Sequence, residues 1–415
     1  MVSRPSEASC CRSCGATLSH VFCDLGMSPV SNAFRRPEDL DGPEVFLPLR
    51  ALVCDACFLV QLQDFRAADD LFTADYPYFS SFSDSWLSHA RRYAQTVTER
   101  CALGADSLVV EIASNDGYLL RWFKEQGVPV LGVDPARSVA EAAKANHGIE
   151  TVVDFFGVAL AKRLVEEGRR ADVMAANNVL AHVPDINDFL GGFAVLLKPE
   201  GTATFEFPHL LNLIARNQFD TIYHEHYSYL SLTALDGAFA RHGLEVVDVE
   251  ELPTHGGSLR LYVRHVGAQA PAPAVAEMRA REEAAGLREL ATYAAFEEKV
   301  KATKRAFLKT LIALKEDGLS IAAYGAAAKG NTLLNYCGVG RDMIDFVCDR
   351  NPAKQGLFLP GTGIPVLGPD AVMERRPDVV VILPWNLKDE IAGQLGDIRT
   401  WGGRFLVPIP TVEMF

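Results

Sequence analysis

The sequence predicts an α/β protein with two separate doubly wound sheets behind a small cysteine-rich domain. Two Cys-x-x-Cys pairs lie near the amino terminus, and short β-branched runs alternate with helical segments from residue 107 and again from residue 320. Such alternation favours parallel sheets covered by helices. Because one core rarely serves more than about 300 residues, we expect the 415 residues to form three domains, at 1–72, 73–268 and 269–415.

Composition and charge restrict the class of protein. Hydrophobic residues make up 49 % and charged residues 22 % of the chain, as in soluble globular proteins. A net charge of −13 argues against nucleic acid as a partner, because a polyanion prefers a basic face. No apolar run reaches the roughly 18 residues that cross a bilayer, and the first residues lack a signal-peptide core. We therefore expect a cytoplasmic protein with no membrane partner.

The first two cysteine pairs predict a zinc site. Cys11 and Cys14 form one Cys-x-x-Cys knuckle, and Cys54 and Cys57 form the other. Four thiolates fill a tetrahedral zinc ion and leave no open position, so the zinc is expected to be structural. The alternatives are unliganded cysteines or a redox pair. Cys10 adjoins the first knuckle but is out of register with it.

An aromatic, hydroxyl-rich loop precedes the central domain. It contains Tyr76 and Tyr78. One interpretation is a packed linker, since aromatic side chains often fill domain seams. The other is a lid whose phenols face the active site.

The central domain has the strand pattern of a class I methyltransferase sheet. Five strand candidates precede helical segments and should be parallel. Two later candidates are joined by a hairpin-like loop at 253–258, which would set the last strand antiparallel. The seven candidates are residues 108–112, 130–134, 151–153, 172–176, 202–207, 245–249 and 259–263.

The turn after the first strand is the expected cofactor site. It runs from Glu111 through Ala113, Asn115 and Gly117, with small residues that let a ligand approach the backbone. The usual glycine pattern is incomplete, because Ala113 and Asn115 stand where glycines are common. Asp134 ends the second strand, where a carboxylate can bind both ribose hydroxyls.

Polar residues after later strands extend this site. Asp154 and Phe155 follow the third strand and could hold an adenine, and Asn177 follows the fourth, with His182 close behind. No phosphate-cradling glycine loop is evident, which suits the uncharged adenosine of S-adenosylmethionine better than the pyrophosphate of NAD. We therefore expect S-adenosylmethionine, with NAD as the competitor.

The stretch 218–229 carries the expected chemistry. Two imidazoles, two carboxylates and three phenols fall within twelve residues. Histidine titrates near neutral pH and is the commonest base, so we expect a proton to be moved in this stretch. Methylation at carbon, which the family resemblance described below implies, requires an enolate, hence a base and a donor to the developing oxyanion. In that reaction Glu225 or a nearby carboxylate could orient the ring of His226, and Tyr223 or Tyr76 could donate.

Two other interpretations of these histidines remain open. His226 could be a hydrogen-bonded structural residue. His224 and His226 would share one face of a strand and could bind a metal, although no third ligand stands at motif spacing.

The carboxyl-terminal third predicts a linker at 270–273, one long charge-rich helix at 275–317, and a second αβ unit. The helix is expected to dock between the large domains, with a solvated spacer as the alternative. The small-residue turn from Gly325 into a helix could receive a diphosphate on its N–H groups. The alternative is a tight strand-to-helix connection. The residues expected to bind substrate are Tyr78, His255, Ser258, Lys329, Asn331, Asn335, Asp349 and Asn386.

An ordered set of motifs identifies a family resemblance over nearly the whole chain. The set comprises the paired Cys-x-x-Cys knuckles, Tyr76-Pro77-Tyr78, Asn115-Asp116-Gly117, Glu225-His226, His255-Gly256-Gly257 and Gly325-Ala326-Ala327-Ala328-Lys329. The chain resembles the sugar C-methyltransferases of deoxysugar biosynthesis, the family of the tetronitrose-forming enzyme of antibiotic pathways.

The resemblance implies a monomeric three-domain enzyme with zinc, S-adenosylmethionine and a carboxyl-terminal Rossmann-like domain. That domain would help to hold a nucleotide-linked 4-ketosugar, with dTDP the expected nucleotide and C-3 the expected carbon. It also implies that His226 is the base and that Tyr76, His182, Tyr223 and Glu225 line the same site. The sequence departs from the family at Ala113 and at His224, where a relative carries an acidic residue.

Other functions are compatible with the same residues. An O- or N-methyltransferase acting on a related sugar would use the base on a hydroxyl or amine. A zinc-bearing protein that only binds nucleotides and a nicotinamide oxidoreductase are further alternatives.

Overall fold

The computed structural model describes residues 9–63, 81 and 84–415, so Tyr76 and Tyr78 lie outside the described residues. The strands are β1 (His20–Ser28), β2 (Leu47–Val53), β3 (Val60–Leu62), β4 (Val109–Ile112), β5 (Val130–Val133), β6 (Thr151–Val152), β7 (Ala171–Asn177), β8 (Leu197–Pro208), β9 (Ser228–Tyr229), β10 (Leu244–Leu252), β11 (Ser258–His265), β12 (Ile321–Tyr324), β13 (Val347–Cys348), β14 (Val366–Leu367), β15 (Val379–Ile382), β16 (Arg404–Val407) and β17 (Glu413–Met414).

The helices cover the sheets and connect successive strands. They are α1 (Asp84–Arg100), α2 (Leu120–Glu125), α3 (Arg137–His147), α4 (Val158–Glu166), α5 (Ile186–Leu196), α6 (Leu210–Ala215), α7 (Leu232–Arg241), α8 (Pro273–Ala284), α9 (Leu290–Ala294), α10 (Phe296–Glu316), α11 (Ala328–Cys337), α12 (Asp370–Arg375) and α13 (Lys388–Gln394).

The central sheet is that of a class I methyltransferase, as the sequence predicts. Its order is β6-β5-β4-β7-β8-β11-β10. The strands from β4 to β8 are parallel, and β11 is antiparallel to both β8 and β10. Strand β4 is buried along its whole length, as expected when helices cover both faces of a parallel sheet.

The carboxyl-terminal sheet has the order β14-β13-β12-β15-β16-β17. Its pairs are parallel except for β16 with β17. The strand expected at 343–349 is shorter than its apolar pattern suggests, because Met343 and Ile344 both donate to the Gly340 carbonyl in a turn and leave two residues for β13.

The single helix expected at 275–317 is three helices, α8, α9 and α10. The break follows α8 at Gly286, which has a φ of 79°. There the Leu287 amide caps the helix on the Glu282 carbonyl, and the Leu287 side chain is fully buried. Tertiary burial at the break therefore outweighs the helical propensity of the surrounding residues.

Helix α10 packs into a hydrophobic core and is not a solvated spacer. Its apolar face shares one core with the amino-terminal sheet and the carboxyl-terminal domain. Phe22 of β1 stacks on Phe296 with ring centroids 4.6 Å apart and meets Tyr293 edge-on at 6.0 Å. The amino-terminal sheet therefore depends on the carboxyl-terminal third for its core.

The amino-terminal segment also packs on the central domain. Cys11, Cys54 and Leu59 belong to the central hydrophobic cluster. Strand β3 pairs with β9, which completes the amino-terminal sheet in the order β1-β2-β3-β9. Since β9 ends the stretch 218–229, this pairing fixes the expected catalytic stretch against the cysteine-rich segment.

The turn after β4 has a left-handed backbone at three positions, and glycine stands at one of them. Ala113, Asn115 and Gly117 have φ values of 55°, 51° and 80°. A Cβ at Gly117 would lie 2.7 Å from Ile149 Cδ1, so a side chain there would displace Ile149, and the positive φ would strain it as well. Alanine in this conformation is strained, and asparagine tolerates it better.

Among the described helices, none combines the length and the apolar character needed to cross a membrane.

Replacing Phe22 by Ala should lower the free energy of unfolding by about 3–5 kcal/mol, because it removes a fully buried ring from the shared core. Urea unfolding measures the change. The control is Val21→Ala in the same strand, where the side chain is 39 % exposed and the cost should stay below about 1 kcal/mol. Equal losses would show that β1 does not rely on this core.

Ala113→Gly should raise the melting temperature. Relief of the left-handed alanine is worth about 1–2 kcal/mol, and the added flexibility of glycine costs about 0.5–1 kcal/mol. Calorimetric melting tests this against Ala327→Gly, where φ is −91° and no strain is relieved. A lower melting temperature for Ala113→Gly than for the control would contradict the expectation.

Candidate active site

The four predicted zinc ligands come together. Their Sγ atoms all lie within 4.8 Å of one another. Cys11 and Cys57 Sγ are 3.5 Å apart, and Cys14 and Cys54 Sγ are also 3.5 Å apart. Zinc–sulfur bonds of 2.3 Å give tetrahedral sulfur separations of about 3.8 Å. The donor set therefore fits zinc, and with four sulfurs it leaves no position for substrate.

A neighbouring amide supports this site. Gln61 Nε2 donates to Cys11 Sγ at 3.2 Å, and Gln61 Oε1 accepts from the Arg12 amide at 2.9 Å. A hydrogen bond to sulfur favours the thiolate that a metal requires. Gln61 lies in β3, opposite Ser228 of β9. The cysteine site is thus connected directly to the stretch 218–229.

Asp134 forms a hydrogen bond to the backbone of the turn at which a cofactor is expected. Its Oδ2 accepts from the Asn115 amide at 2.9 Å, and its Oδ1 accepts from the Ala136 amide at 2.9 Å. Burial raises the pKa of Asp134, and these two backbone hydrogen bonds oppose the rise. Each carboxylate oxygen has a second lone pair, so ribose hydroxyls can still be accepted.

Several buried polar atoms around this turn have no hydrogen-bond partner among the described residues. They are Glu111 Oε2, Ser114 Oγ, Asp116 Oδ1 and Asn177 Oδ1. Burial raises the pKa of Glu111 well above its ordinary value, and a hydrogen bond from Tyr118 opposes the rise. Buried polar atoms normally have partners, so this set indicates a polar ligand.

The outer edge of the same site offers an aromatic surface. Phe155 is 47 % exposed, and Asp154 next to it is paired with Arg163 at 3.1 Å. An exposed ring beside polar strand ends suits a flat purine. Together with the unpartnered atoms at the turn, this arrangement fits S-adenosylmethionine, which supplies an electrophilic methyl group when bound.

His226 is held in one tautomer. Its Nδ1 lies 2.8 Å from the Thr221 carbonyl oxygen, which can only accept, so Nδ1 carries the proton. Its Nε2 is 2.7 Å from the Tyr223 hydroxyl and accepts from that phenol. Burial lowers the pKa of His226 well below its ordinary value, and His182 beside it adds to the lowering. The ring is therefore neutral, with a lone pair on Nε2.

His182 and Glu225 flank this ring. His182 Nδ1 lies 2.7 Å from the Glu225 carbonyl oxygen, and the His182 and His226 ring centroids are 4.7 Å apart. Burial lowers the pKa of His182 to about 4. The expectation that Glu225 orients His226 differs from the structure: the Thr221 carbonyl does so, because Nδ1 faces the turn at 219–221.

The Glu225 carboxyl instead faces the amino-terminal segment. Its Oε1 accepts from Asn32 Nδ2 at 3.0 Å, and burial raises its pKa. His224 Nε2 lies 3.3 Å from the Pro48 carbonyl oxygen of β2. Among the described residues, the cysteine cluster is the group whose ligand atoms converge, so the metal alternative for His224 and His226 receives no support.

The loop between β10 and β11 brings His255 next to the end of β7. His255 has a φ of 53°, and its Nε2 lies 3.3 Å from Asn178 Nδ2. Its ring lies 5.5 Å from that of Trp86 in α1. Ser258, expected to bind substrate, donates its hydroxyl to the Thr254 carbonyl at 3.0 Å and so supports the loop itself.

Lys329 and Asn386 lie together at the edge of the carboxyl-terminal sheet. Lys329 Nζ donates to Asn386 Oδ1 at 2.7 Å and lies 4.9 Å from the Trp385 ring centroid. Trp385 Nε1 in turn donates to Asp220 Oδ2 at 2.7 Å. Burial raises the pKa of Asp220 to about 6, although Lys329 and Trp385 oppose the rise.

Sequence reasoning missed Asp220 and Trp385 as a contact between domains. Asp220 lay within the polar stretch 218–229, which was a signal, but nothing in the spacing indicates Trp385 as its partner. The neighbouring Gly256 makes room for the indole, because a Cβ there would lie 2.5 Å from the Trp385 ring.

Three other predicted substrate residues serve the protein itself. Asn331 Nδ2 donates to the Ser31 carbonyl at 2.6 Å, and Asn335 Nδ2 donates to the Pro360 carbonyl at 3.1 Å. Asp349 accepts from the Ala326 amide at 2.7 Å and from the Asn351 amide at 2.8 Å. Asp349 thus repeats the arrangement of Asp134, while the two asparagines hold chain segments together.

Comparison with known proteins assigns each part of the chain. Three family models match in order: a zinc binding domain at residues 11–72, a methyltransferase domain at 86–249 and a C-methyltransferase C-terminal domain at 253–410. The C-methyltransferase NovU of Streptomyces niveus is 38 % identical over 404 residues, which are 96 % of this chain and 95 % of NovU.

More distant matches cover only part of the chain. The ubiquinone biosynthesis O-methyltransferase of Bartonella tribocorum is 29 % identical over 93 residues, or 22 % of this chain and 38 % of that enzyme. The crystal structure of magnesium protoporphyrin IX methyltransferase (ChlM) from Synechocystis PCC 6803 with bound SAM has 15 % identity, covers 44 % of this chain and 82 % of its own, and gives a TM-score of 0.32. A structural likeness this weak carries no argument.

The match to NovU and the three successive domain models agree with the clustered thiolates and the methyltransferase sheet. The chain belongs to the C-methyltransferase family and is an S-adenosylmethionine-dependent enzyme with a zinc-binding amino-terminal domain.

Proposed function

We propose that this enzyme methylates the carbon next to the ketone of a nucleotide-linked 4-keto-deoxysugar, at C-3, through an enolate that His226 generates. The observation that supports it best is the hydrogen bonding of His226: the Thr221 carbonyl binds its Nδ1 proton, so the lone pair lies on Nε2, where it accepts from the Tyr223 hydroxyl. We further propose dTDP as the nucleotide, and a cytoplasmic monomer as the working form.

The chemistry requires a base because a C–H carbon is not itself a nucleophile. His226 Nε2 takes the proton from the carbon beside the ketone, and the C–H electron pair moves into the enolate with its charge on oxygen. The enolate carbon would then form its bond to the methyl group that S-adenosylmethionine supplies, while the S–CH3 bond breaks and its electron pair stays on sulfur, which leaves as the neutral thioether of S-adenosylhomocysteine. A positioned base typically contributes about 10²–10⁴ in rate.

Tyr223 has two tasks in this proposal. Its hydroxyl donates to His226 Nε2 at 2.7 Å. When the ketosugar binds, the phenol turns to the carbonyl oxygen, which frees the base and stabilises the charge that develops. The half-buried His182, with its ring 4.7 Å from that of His226, excludes water from one side of the base.

The substrate class is supported by the polar group around Lys329 in the carboxyl-terminal domain. Lys329 supplies a cation near the start of α11, and Asn386 and Trp385 surround its amino group. A diphosphate is bound by a cation together with N–H donors. The contact between Asp220 and Trp385 joins this group to the stretch that carries His226.

Replacing His226 by Asn should lower kcat by about 10²–10⁴ because the base is lost. Calorimetry should still detect S-adenosylmethionine binding. Turnover is measured on a panel of dTDP-, GDP- and CDP-linked 4-ketosugars, with NMR of the product made from a 13C-methyl donor to distinguish a C-methyl from a methoxy group.

The matched control is His224→Asn, two residues away, where the ring contacts the Pro48 carbonyl. It should retain kcat within about tenfold of the native enzyme, because it removes no group from the base. Full turnover in His226→Asn would refute the assignment. Deuterium uptake from D2O at the carbon beside the ketone is a second measurement, and its loss in both variants alike would also refute the assignment.

The acidic limb of the kcat–pH profile should lie below the ordinary histidine pKa of about 6.5. Burial lowers the pKa of His226, and only the unprotonated ring can act as base. Activity should therefore persist as the pH falls through 6.5 and decline only at lower pH. Turnover at saturating substrates between about pH 5 and 8 measures this, and a midpoint above 6.5 would contradict a buried neutral base.

A further inference from the structure

The loop between β1 and β2 reaches from the zinc-bearing segment into the catalytic stretch. Asn32 Nδ2 donates to Glu225 Oε1 at 3.0 Å. The preceding residue, Ser31, anchors the loop to α11: its carbonyl accepts from Asn331 Nδ2 at 2.6 Å, and its hydroxyl lies 3.3 Å from that of Thr332. The loop is thus fixed on one side and presents an amide on the other.

Glu225 is a buried acid beside the proposed base. It is 3 % exposed, and its Oε2 is buried without a hydrogen-bond partner among the described residues. Its main chain connects directly to His226, and its carbonyl oxygen holds His182. The Glu225 main chain therefore contacts both neighbouring rings, while its carboxyl keeps one buried oxygen without a partner among the described residues.

Asn32 is suited to set this direction. Its amide is a neutral donor, so it fixes one carboxyl oxygen without adding the positive charge that would hold the group ionised. A second, fixed oxygen then remains for another hydrogen bond. Since Asn32 itself is exposed, its role in packing is small.

We propose that Asn32 is a positioning residue for methyl transfer: it holds Glu225 Oε1 so that Oε2 is directed to a polar group of the sugar. The inference rests on the proposed function, to which it adds a contact between Glu225 and the sugar. It makes the amino-terminal segment a contributor to the reaction, in addition to its structural zinc.

The zinc-binding segment contacts the catalytic stretch at a second place. Gln61, which donates to Cys11 Sγ, pairs with Ser228 two residues after His226. The loop that carries Asn32 and the strand that carries Gln61 therefore contact opposite ends of residues 225–228.

The experiment is a double-mutant cycle on kcat with Asn32→Ala, Glu225→Ala and the double variant. Asn32→Ala should lower kcat by roughly tenfold through misplacement of the carboxyl, with KM for S-adenosylmethionine unchanged. The double variant should lose no more than Glu225→Ala. Ser31→Ala is the matched control, because it removes a hydroxyl contact of the same loop and keeps the Asn32 amide in place.

Asn32→Asp gives a second test without a change of size. It removes the N–H donor and places a like charge beside Glu225, which raises the pKa of that carboxyl. The kcat–pH profile should therefore shift to higher pH in Asn32→Asp, and the shift should vanish when Glu225 is also replaced by Ala.

The outcomes separate this inference from the proposed function. If Glu225→Ala keeps full turnover, the proposed role of Glu225 is wrong. If Glu225→Ala loses turnover but Asn32→Ala does not, or if the two losses multiply in the double variant, Asn32 does not act through Glu225. Equal losses in Ser31→Ala and Asn32→Ala would assign the effect to the loop as a whole.

Discussion

The backbone pairing of β3 with β9 is the constraint on which the site depends. It joins Val60 to Tyr229 and Gln61 to Ser228, so the stretch that contains His226 becomes the last strand of the zinc-bearing sheet. A two-residue strand has little stability alone. It persists here because the cysteine site fixes Gln61 on one side and a shared core holds the sheet on the other.

The amino-terminal domain is packed into the rest of the protein. Its sheet shares a core with α10 and the carboxyl-terminal domain, and its cysteine knuckles pack on the central domain. The amino-terminal sheet therefore contacts both large domains. The Trp385 indole adds a contact from the carboxyl-terminal domain by donating to Asp220. The stretch 218–229 is thus held at several points by groups from all three parts of the chain.

The two αβ units share one hydrogen-bonding arrangement, but the sites next to it differ. Asp134 and Asp349 each follow the second strand and bind the amide of the turn after the first strand. In the central domain the turn leaves several buried polar atoms without partners among the described residues, as a cofactor site requires. In the carboxyl-terminal domain, by contrast, Asn331 and Asn335 from the equivalent helix bind main-chain carbonyls of the protein.

The sequence by itself determined the features that local spacing encodes: the four zinc ligands, the parallel strands, the cofactor turn and a polar stretch around His226. It could not determine partners that lie far apart in the chain, such as Asn32 with Glu225, 193 residues later, or Asp220 with Trp385, 165 residues later. Nor could it show that Gly286 breaks the long helix or that Thr221 orients His226. Periodicity reports which face is buried, whereas only tertiary packing decides what lies against that face.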